Sequence, residues 1–343
     1  MSGTRLAERF ARFAREECAG YSPLYAHLAA GVAEDRRLLA LAAGAAPGQP
    51  PPNLLLGAVH FLLLRGAAGS LARFYSDLVP DPAPAAEAYP AFRAFCLAHE
   101  GAIRALLASR RVQTNEVGRC AYLYPVFAEV AARAGRPLAL VEVGASAGLN
   151  LNWHRYAYRY GGDDGVYGVP GSPVQLESEL RGRRRPHLPP APPPVASAVG
   201  VDLLPIDAAD PEEALWLRAL VWPEHRERAE ALRAALSLAR IHPPRVLAGD
   251  GVERVPPLLA ELGDDVVPVV FHTHALYQFP EDRARLVETL QGLARGRDLY
   301  HVAAEGAGTG GVPVELTAWE GGRASTVLLA RCHGHGRWIE WLE

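Results

Sequence analysis

From Leu138 to the end of the chain, short runs of Val, Leu and Ala alternate with amphipathic stretches, and this alternation limits the fold more than any other feature. Runs that are apolar on both faces suit parallel strands covered by helices. Seven such runs are expected to be strands, at 138–143, 196–201, 245–249, 266–271, 299–304, 313–318 and 325–331. Helical patterns precede the first at 121–134 and follow at 211–239, 253–262 and 281–294. Pro223 splits the 211–239 stretch into two helices. The last two strands have little helix between them, which predicts an antiparallel hairpin. The fold class is α/β, with a seven-stranded sheet.

Residues 1–120 have a different texture. Leu6, Phe10 and Phe13 recur at helical spacing, and Ala- and Leu-rich segments follow at 24–44, 53–66 and 86–109, separated by proline-rich breaks. The expected organisation is a helical N-terminal region over 1–120 and a Rossmann-like domain over 121–343. Residues 161–195, with a glycine-rich run, Arg181–Arg185 and a proline cluster, interrupt the rhythm and are expected to be an insertion.

Composition removes several functions. All 35 Lys+Arg residues are arginine, so a Schiff-base lysine and a P-loop lysine are excluded. A formal net charge of −3 gives no general attraction to nucleic acid or to an anionic membrane. The most apolar stretch, Leu54 to Leu64, is too short to cross a bilayer. Charged residues from Arg5 to Glu17 break up any signal-like apolar segment, and the four cysteines form no C-x-x-C pair. These features fit a cytoplasmic location with buried thiols. They also point away from a metal site. His272 and His274 with Cys332, His333 and His335 offer donors, but their spacing matches no standard zinc module.

The strongest local signal is Leu138-Ala-Leu-Val-Glu142-Val-Gly144-Ala-Ser146-Ala-Gly148-Leu-Asn150, an apolar strand running into a turn of small residues and then an expected helix. Small residues let a ligand approach the backbone closely. Glu142, Gly144 and Gly148 match the acidic-x-Gly-x-Gly-x-Gly pattern of methyltransferases, with Ser146 in place of the middle glycine. A dinucleotide G-x-G-x-x-G is absent. The same residues spell G-x-S-x-G, the nucleophile elbow of serine hydrolases, for which Asp298 and His333 are candidate partners of Ser146. A hydrolase elbow follows several strands, whereas this turn ends the first one. That order favours the methyltransferase-like reading. A turn that binds nothing remains the third possibility.

Two further acids end expected strands. Asp202 closes the second, where an acid accepts hydrogen bonds from ribose hydroxyls, and Asp250, followed by Gly251, closes the third, resembling the acid that reads the adenine amino group. The insertion accounts for Asp202 lying well beyond the usual offset of about 20 residues.

Five segments resemble the bacterial family catalogued as domain of unknown function 2332. They are Gln49-Pro-Pro-Pro-Asn53, Gln113-Thr-Asn-Glu-Val-Gly-Arg-Cys120, Leu140–Leu151, Asp210–Pro223 and Phe271-His-Thr-His-Ala-Leu-Tyr277. The resemblance spans nearly the whole chain. It implies a methyltransferase-like sheet behind a helical region and implies no particular substrate.

These readings converge on S-adenosylmethionine as cofactor, held by Glu142, Gly144, Ser146, Gly148, Asp202, Asp250 and Gly251, with a small molecule as methyl acceptor. His274 is the expected base at the end of the fourth strand, supported by His272, with Tyr277 shaping the substrate pocket. Asn115, Glu116 and Arg119 form a dense polar patch expected to contact substrate or the cofactor carboxylate. Each has a bland alternative: hydrogen-bonded structural histidines, a capped helix, and a fold that binds without catalysing.

Overall fold

The computed structural model describes residues 3–162, 164–277, 279–306 and 310–343. Asp163 of the glycine-rich run and Gln278 beside Tyr277 lie outside them. The chain divides into two compact units, Met1–Thr114 with Pro211–Glu230, and Asn115–Asp210 with Ala231–Glu343.

The first unit is helical. Helices Gly3–Arg12, Pro23–Glu34, Arg36–Ala42, Pro51–Leu64, Ala88–Ala98 and Glu100–Ser109 build one core, and helix Pro211–Ala219 adds Trp216 and Ala219 to it. Pro51–Leu64 is apolar all round because it is the buried centre of this core. Of its two polar residues, Asn53 and His60, the buried His60 places Nδ1 3.0 Å from Ala219 O and Nε2 2.9 Å from Asp77 Oδ2. No helix among the described residues is long and apolar enough to cross a membrane.

Among the described residues, the second unit is built on one mixed sheet of eleven strands. They are β1 (Leu138–Val143), β2 (Ala157–Gly161), β3 (Tyr167–Gly168), β4 (Gln175–Arg181), β5 (Val195–Asp202), β6 (Arg245–Ala248), β7 (Val267–Thr273), β8 (Leu299–Ala304), β9 (Val312–Glu320), β10 (Arg323–Cys332) and β11 (Trp338–Trp341). Their spatial order is β3-β2-β4-β11-β10-β9-β8-β7-β1-β5-β6. The five at one end, β8-β7-β1-β5-β6, are parallel. Strands β1, β7 and β8 are buried along their whole length, as their uninterrupted apolar sequences require. The hairpin of β9 and β10 is antiparallel, and β9 also runs antiparallel to β8.

The sheet therefore departs from the expected seven strands. All seven predicted runs are strands, but the hairpin does not close the sheet, because β11 pairs with β10 and then with β4. Three extra strands lie in and around the supposed insertion. In β4, the exposed Glu177 and Glu179 alternate with the buried Leu176 and Ser178, so its inner face is nearly hidden in the sequence. No α-helix follows the glycine turn either. Leu149–Arg155 is a short 3₁₀ segment, and Tyr156, Tyr158 and Tyr160 continue into β2. The Tyr156 hydroxyl donates to Leu149 O and that of Tyr158 to Trp153 O, at 2.5 and 2.6 Å, so these rings fold back onto the segment and fix its end. The aromatic run serves core packing.

Candidate active site

Strand β1 lies between β5 and β7, so the chain winds to one side of it and later to the other. In open α/β sheets, ligands bind at this switch point, outside the carboxyl ends of the strands. The glycine turn leaves β1 there. Gly144, Ser146 and Gly148 all adopt left-handed backbone, with φ of +77°, +55° and +69°. At Gly144 a Cβ would stand 2.4 Å from that of Ala275, and at Gly148 2.7 Å from Val246 Cγ2. Glycine is thus required by neighbouring elements as well as by conformation. A non-glycine residue in this region costs about 1–2 kcal/mol, so Ser146 needs external support.

Asp202 at the end of β5 provides it. Its Oδ2 accepts the Ser146 N–H at 2.8 Å and its Oδ1 the Leu204 N–H at 2.9 Å. Gly249 N–H in turn donates to Asp202 O at 2.9 Å, which draws the end of β6 alongside. Beyond it, Asp250 caps helix Gly251–Ala260 by accepting the Val252 N–H at 2.7 Å. Three adjacent strand ends thus present Glu142, Asp202 and Asp250.

Glu142 is enclosed. Its Oε1 accepts from Asn150 Nδ2 at 3.1 Å, and Asn150 Oδ1 receives the Cys120 thiol at 3.4 Å. Its Oε2 is buried and has no partner among the described residues, and the same is true of Ser146 Oγ. Burial pushes the Glu142 carboxyl up to about 8, so at neutral pH it keeps its proton and can donate. Between the ordinary carboxyl value of 4.5 and about 8 the folded state then holds a proton that the unfolded state has lost. Stability attributable to this group falls as pH rises through that window, by up to about 1.4 kcal/mol per pH unit. Glu142→Gln is expected to flatten the decline, as measured by urea unfolding midpoints from pH 5 to 8; an unchanged slope counts against a protonated Glu142.

Strand β7 ends at Thr273, and His274 leaves it at φ +50°, so the two histidines do not share a strand face. His272 is fully buried, with Nδ1 2.5 Å from Glu305 Oε1 and Nε2 2.9 Å from His301 Nε2. Both ring nitrogens are engaged, which makes His272 a support rather than a group that meets substrate. Glu305 also accepts the N–H groups of Ala275, Leu276 and Tyr277 at 3.1, 3.1 and 2.9 Å. Burial alone would raise the Glu305 carboxyl, but the bond from His272 and these N–H groups hold it below its ordinary value. Burial, then His272, pushes His301 well below the usual histidine range. The result is a satisfied internal network that fixes the loop after β7.

His274 is half-buried, and its Nε2 has no hydrogen-bond partner among the described residues. Burial, then the charge of Arg119, lowers it to about 4, so the ring is neutral at physiological pH. Its ring meets that of Tyr277 edge to face, 6.2 Å between centroids. Tyr277 and Phe279 after β7, and Leu203 and Leu204 after β5, are exposed large hydrophobic side chains at the same edge of the sheet. In the polar patch, Asn115 Oδ1 accepts the Leu149 N–H at 3.0 Å, and Glu116 accepts the Gly118 N–H at 3.3 Å. Arg119 Nη1 donates to Thr273 O at 2.9 Å. The patch therefore braces both the turn and the end of β7.

The elbow reading fails on geometry. Ser146 Oγ bonds to no histidine among the described residues. Asp298 precedes β8 at the opposite edge of the sheet, about 20 Å away by strand length, where it pairs with Arg136 and Gly321. Among the described residues, no three His, Cys, Asp or Glu side chains gather to hold a metal ion. Sequence reasoning passed over Asn150, Cys120, Glu305 and His301. Glu305 was within reach, because an acid followed by glycine directly after an apolar strand repeats the signal read at Asp250.

A family model described as "Uncharacterized protein conserved in bacteria (DUF2332)" matches residues 7–341. The chain belongs to this family. No curated protein matches the sequence. The DUF2332 match runs through both units, and every residue of the candidate site falls within it.

Proposed function

We propose that this chain binds S-adenosylmethionine at the carboxyl ends of β1, β5 and β6 and methylates a small molecule. One observation carries the reading: a left-handed turn at the switch point has two buried polar atoms, Glu142 Oε2 and Ser146 Oγ, with no protein partner among the described residues. Buried polar atoms left unpaired are costly, and a polar ligand removes that cost. The parallel order β8-β7-β1-β5-β6, with acids ending β1 and β5 and following β6, supports a methyltransferase-like Rossmann assignment for this block.

The residues present fit such a cofactor. Asp202 would accept hydrogen bonds from the ribose hydroxyls, and Asp250 from the adenine amino group. Leu203 and Leu204 offer an apolar surface for the base. Gly144, Gly148 and Gly251 keep the turns small, while protonated Glu142 and Ser146 offer hydrogen bonds beneath. When bound, the cofactor supplies a methyl group on a positively charged sulfur. Neutral His274 is suited to take the proton from the acceptor atom through Nε2, and Glu305 and His272 hold its loop in place. Tyr277 lines the acceptor side with the polar groups of Asn115, Glu116 and Arg119.

Calorimetric titration with S-adenosylmethionine and S-adenosylhomocysteine tests the cofactor site; absence of binding heat with either overturns it. Transfer of a labelled methyl group into a small-molecule extract separates an enzyme from a binding protein. His274→Ala is expected to abolish that transfer and leave cofactor affinity within about twofold. Undiminished transfer by the variant removes His274 as the base.

A further inference from the structure

Among the described residues the Arg119 head is held by neutral acceptors alone. Its guanidinium is half-buried, with Nη1 donating to Thr273 O at 2.9 Å and Thr273 Oγ1 at 3.2 Å, and Nε donating to Gly334 O at 3.4 Å. All three acceptors are neutral. Among the described residues no carboxylate stands within ion-pair distance of it, although the chain forms such pairs at many other arginines. Glu142 feels the field of Arg119 but keeps its proton at neutral pH, and His274 is neutral there as well. Around His274 the Arg119 and Glu305 charges oppose each other, but Glu305 is taken up by His272 and three backbone N–H groups rather than by Arg119.

The bonds to Nε and Nη1 lock the planar head, and Nη2 makes no hydrogen bond to the described residues. A held guanidinium with a spare donor edge is suited to a carboxylate, which it can meet with two parallel hydrogen bonds. A second observation comes from the first turn of helix Cys120–Ala134. The Tyr122 hydroxyl is fully buried, has no partner among the described residues, and belongs to the residue one helical turn beyond Arg119, three positions along.

The geometry points to Arg119, with the Tyr122 hydroxyl as second donor, as the receptor for a ligand carboxylate at the end of β7. This rests on the cofactor site proposed above only for the choice of nucleoside probes. Two sources share the chemistry: the amino-acid end of the adenosyl cofactor, or a carboxylate on the methyl acceptor.

Calorimetry on the full chain compares S-adenosylhomocysteine with 5′-methylthioadenosine, which keeps the nucleoside and the thioether and lacks the amino-acid end. If the cofactor supplies the carboxylate, Arg119→Gln weakens S-adenosylhomocysteine about ten- to a hundredfold and leaves methylthioadenosine within about twofold. If the acceptor supplies it, neither nucleoside changes. Instead, a thermal stabilisation of wild type by aliphatic mono- or dicarboxylates, absent with their amides, disappears in the variant. Should no nucleoside bind wild type, the cofactor site fails while the carboxylate panel still decides this proposal. Tyr122→Phe guards against misfolding: it removes an unpaired hydroxyl, so its melting temperature holds or rises while the same ligand binds more weakly. Nucleoside affinities unaffected by either variant, with no carboxylate-dependent stabilisation of wild type, overturn the proposal.

Discussion

Glu305→Ala is expected to lower unfolding free energy by about 3–5 kcal/mol. One side chain answers four donors in the folded state: the His272 ring and the backbone N–H groups of Ala275, Leu276 and Tyr277. Truncation strands all of them in a buried setting, and breaking a buried pair from one side costs about that much. Glu305→Gln keeps acceptor oxygen in place and should lose about 1–2 kcal/mol. Urea unfolding gives both numbers, and amide exchange at residues 275–277 should quicken in the alanine variant. A loss below about 1 kcal/mol for alanine shows that the network is not what holds the loop after β7.

Asp202→Ala is expected to reduce S-adenosylhomocysteine affinity by about a hundredfold or more, each lost charge-assisted hydrogen bond being worth about 1.5–3 kcal/mol. The carboxylate has two tasks: it would meet the ribose, and it holds Ser146 in left-handed backbone through the Ser146 N–H. Without it the serine has reason to relax, and the turn loses its shape. Asp202→Asn can still accept one backbone N–H and should fall between wild type and alanine. Calorimetry on the three proteins separates the contributions, and retention of affinity within tenfold by alanine removes Asp202 from the site.

What could be read from the sequence followed burial. Strands β1, β7 and β8 are enclosed on both faces, so their apolar runs announce them. Strand β4 carries Glu177, Glu179 and Arg181 on its outer face and resembles a charged loop, while β11 has only four residues. The helix expected after Gly148 was a period error. Leu149, Leu151 and Trp153, and then Tyr156, Tyr158 and Tyr160, recur at period two, a strand signal, and the hydroxyls of Tyr156 and Tyr158 bond backward to the 149–155 segment and end it early. Positions of the site acids were legible, because strand ends are. Their occupations were not: Asp202 spends lone pairs on backbone amides, and Glu142 is protonated because of what surrounds it. The neutral setting of the Arg119 head depends on every side chain folded around it, and no pattern along the chain encodes it.

The membership of Pro211–Glu230 in the helical unit affects how the protein is made. Trp216 donates from its indole to Arg111 O at 2.8 Å and belongs with Ala219 and Leu220 to the same core as Phe61. A ribosome delivers β1 to β5 before it delivers this plug. The helical core therefore waits, incomplete, while five of the eleven sheet strands are already outside the exit tunnel. A fragment ending at Thr114 keeps an unfilled slot where the indole belongs, so a fragment of the helical unit has to carry Pro211–Glu230 together with Met1–Thr114.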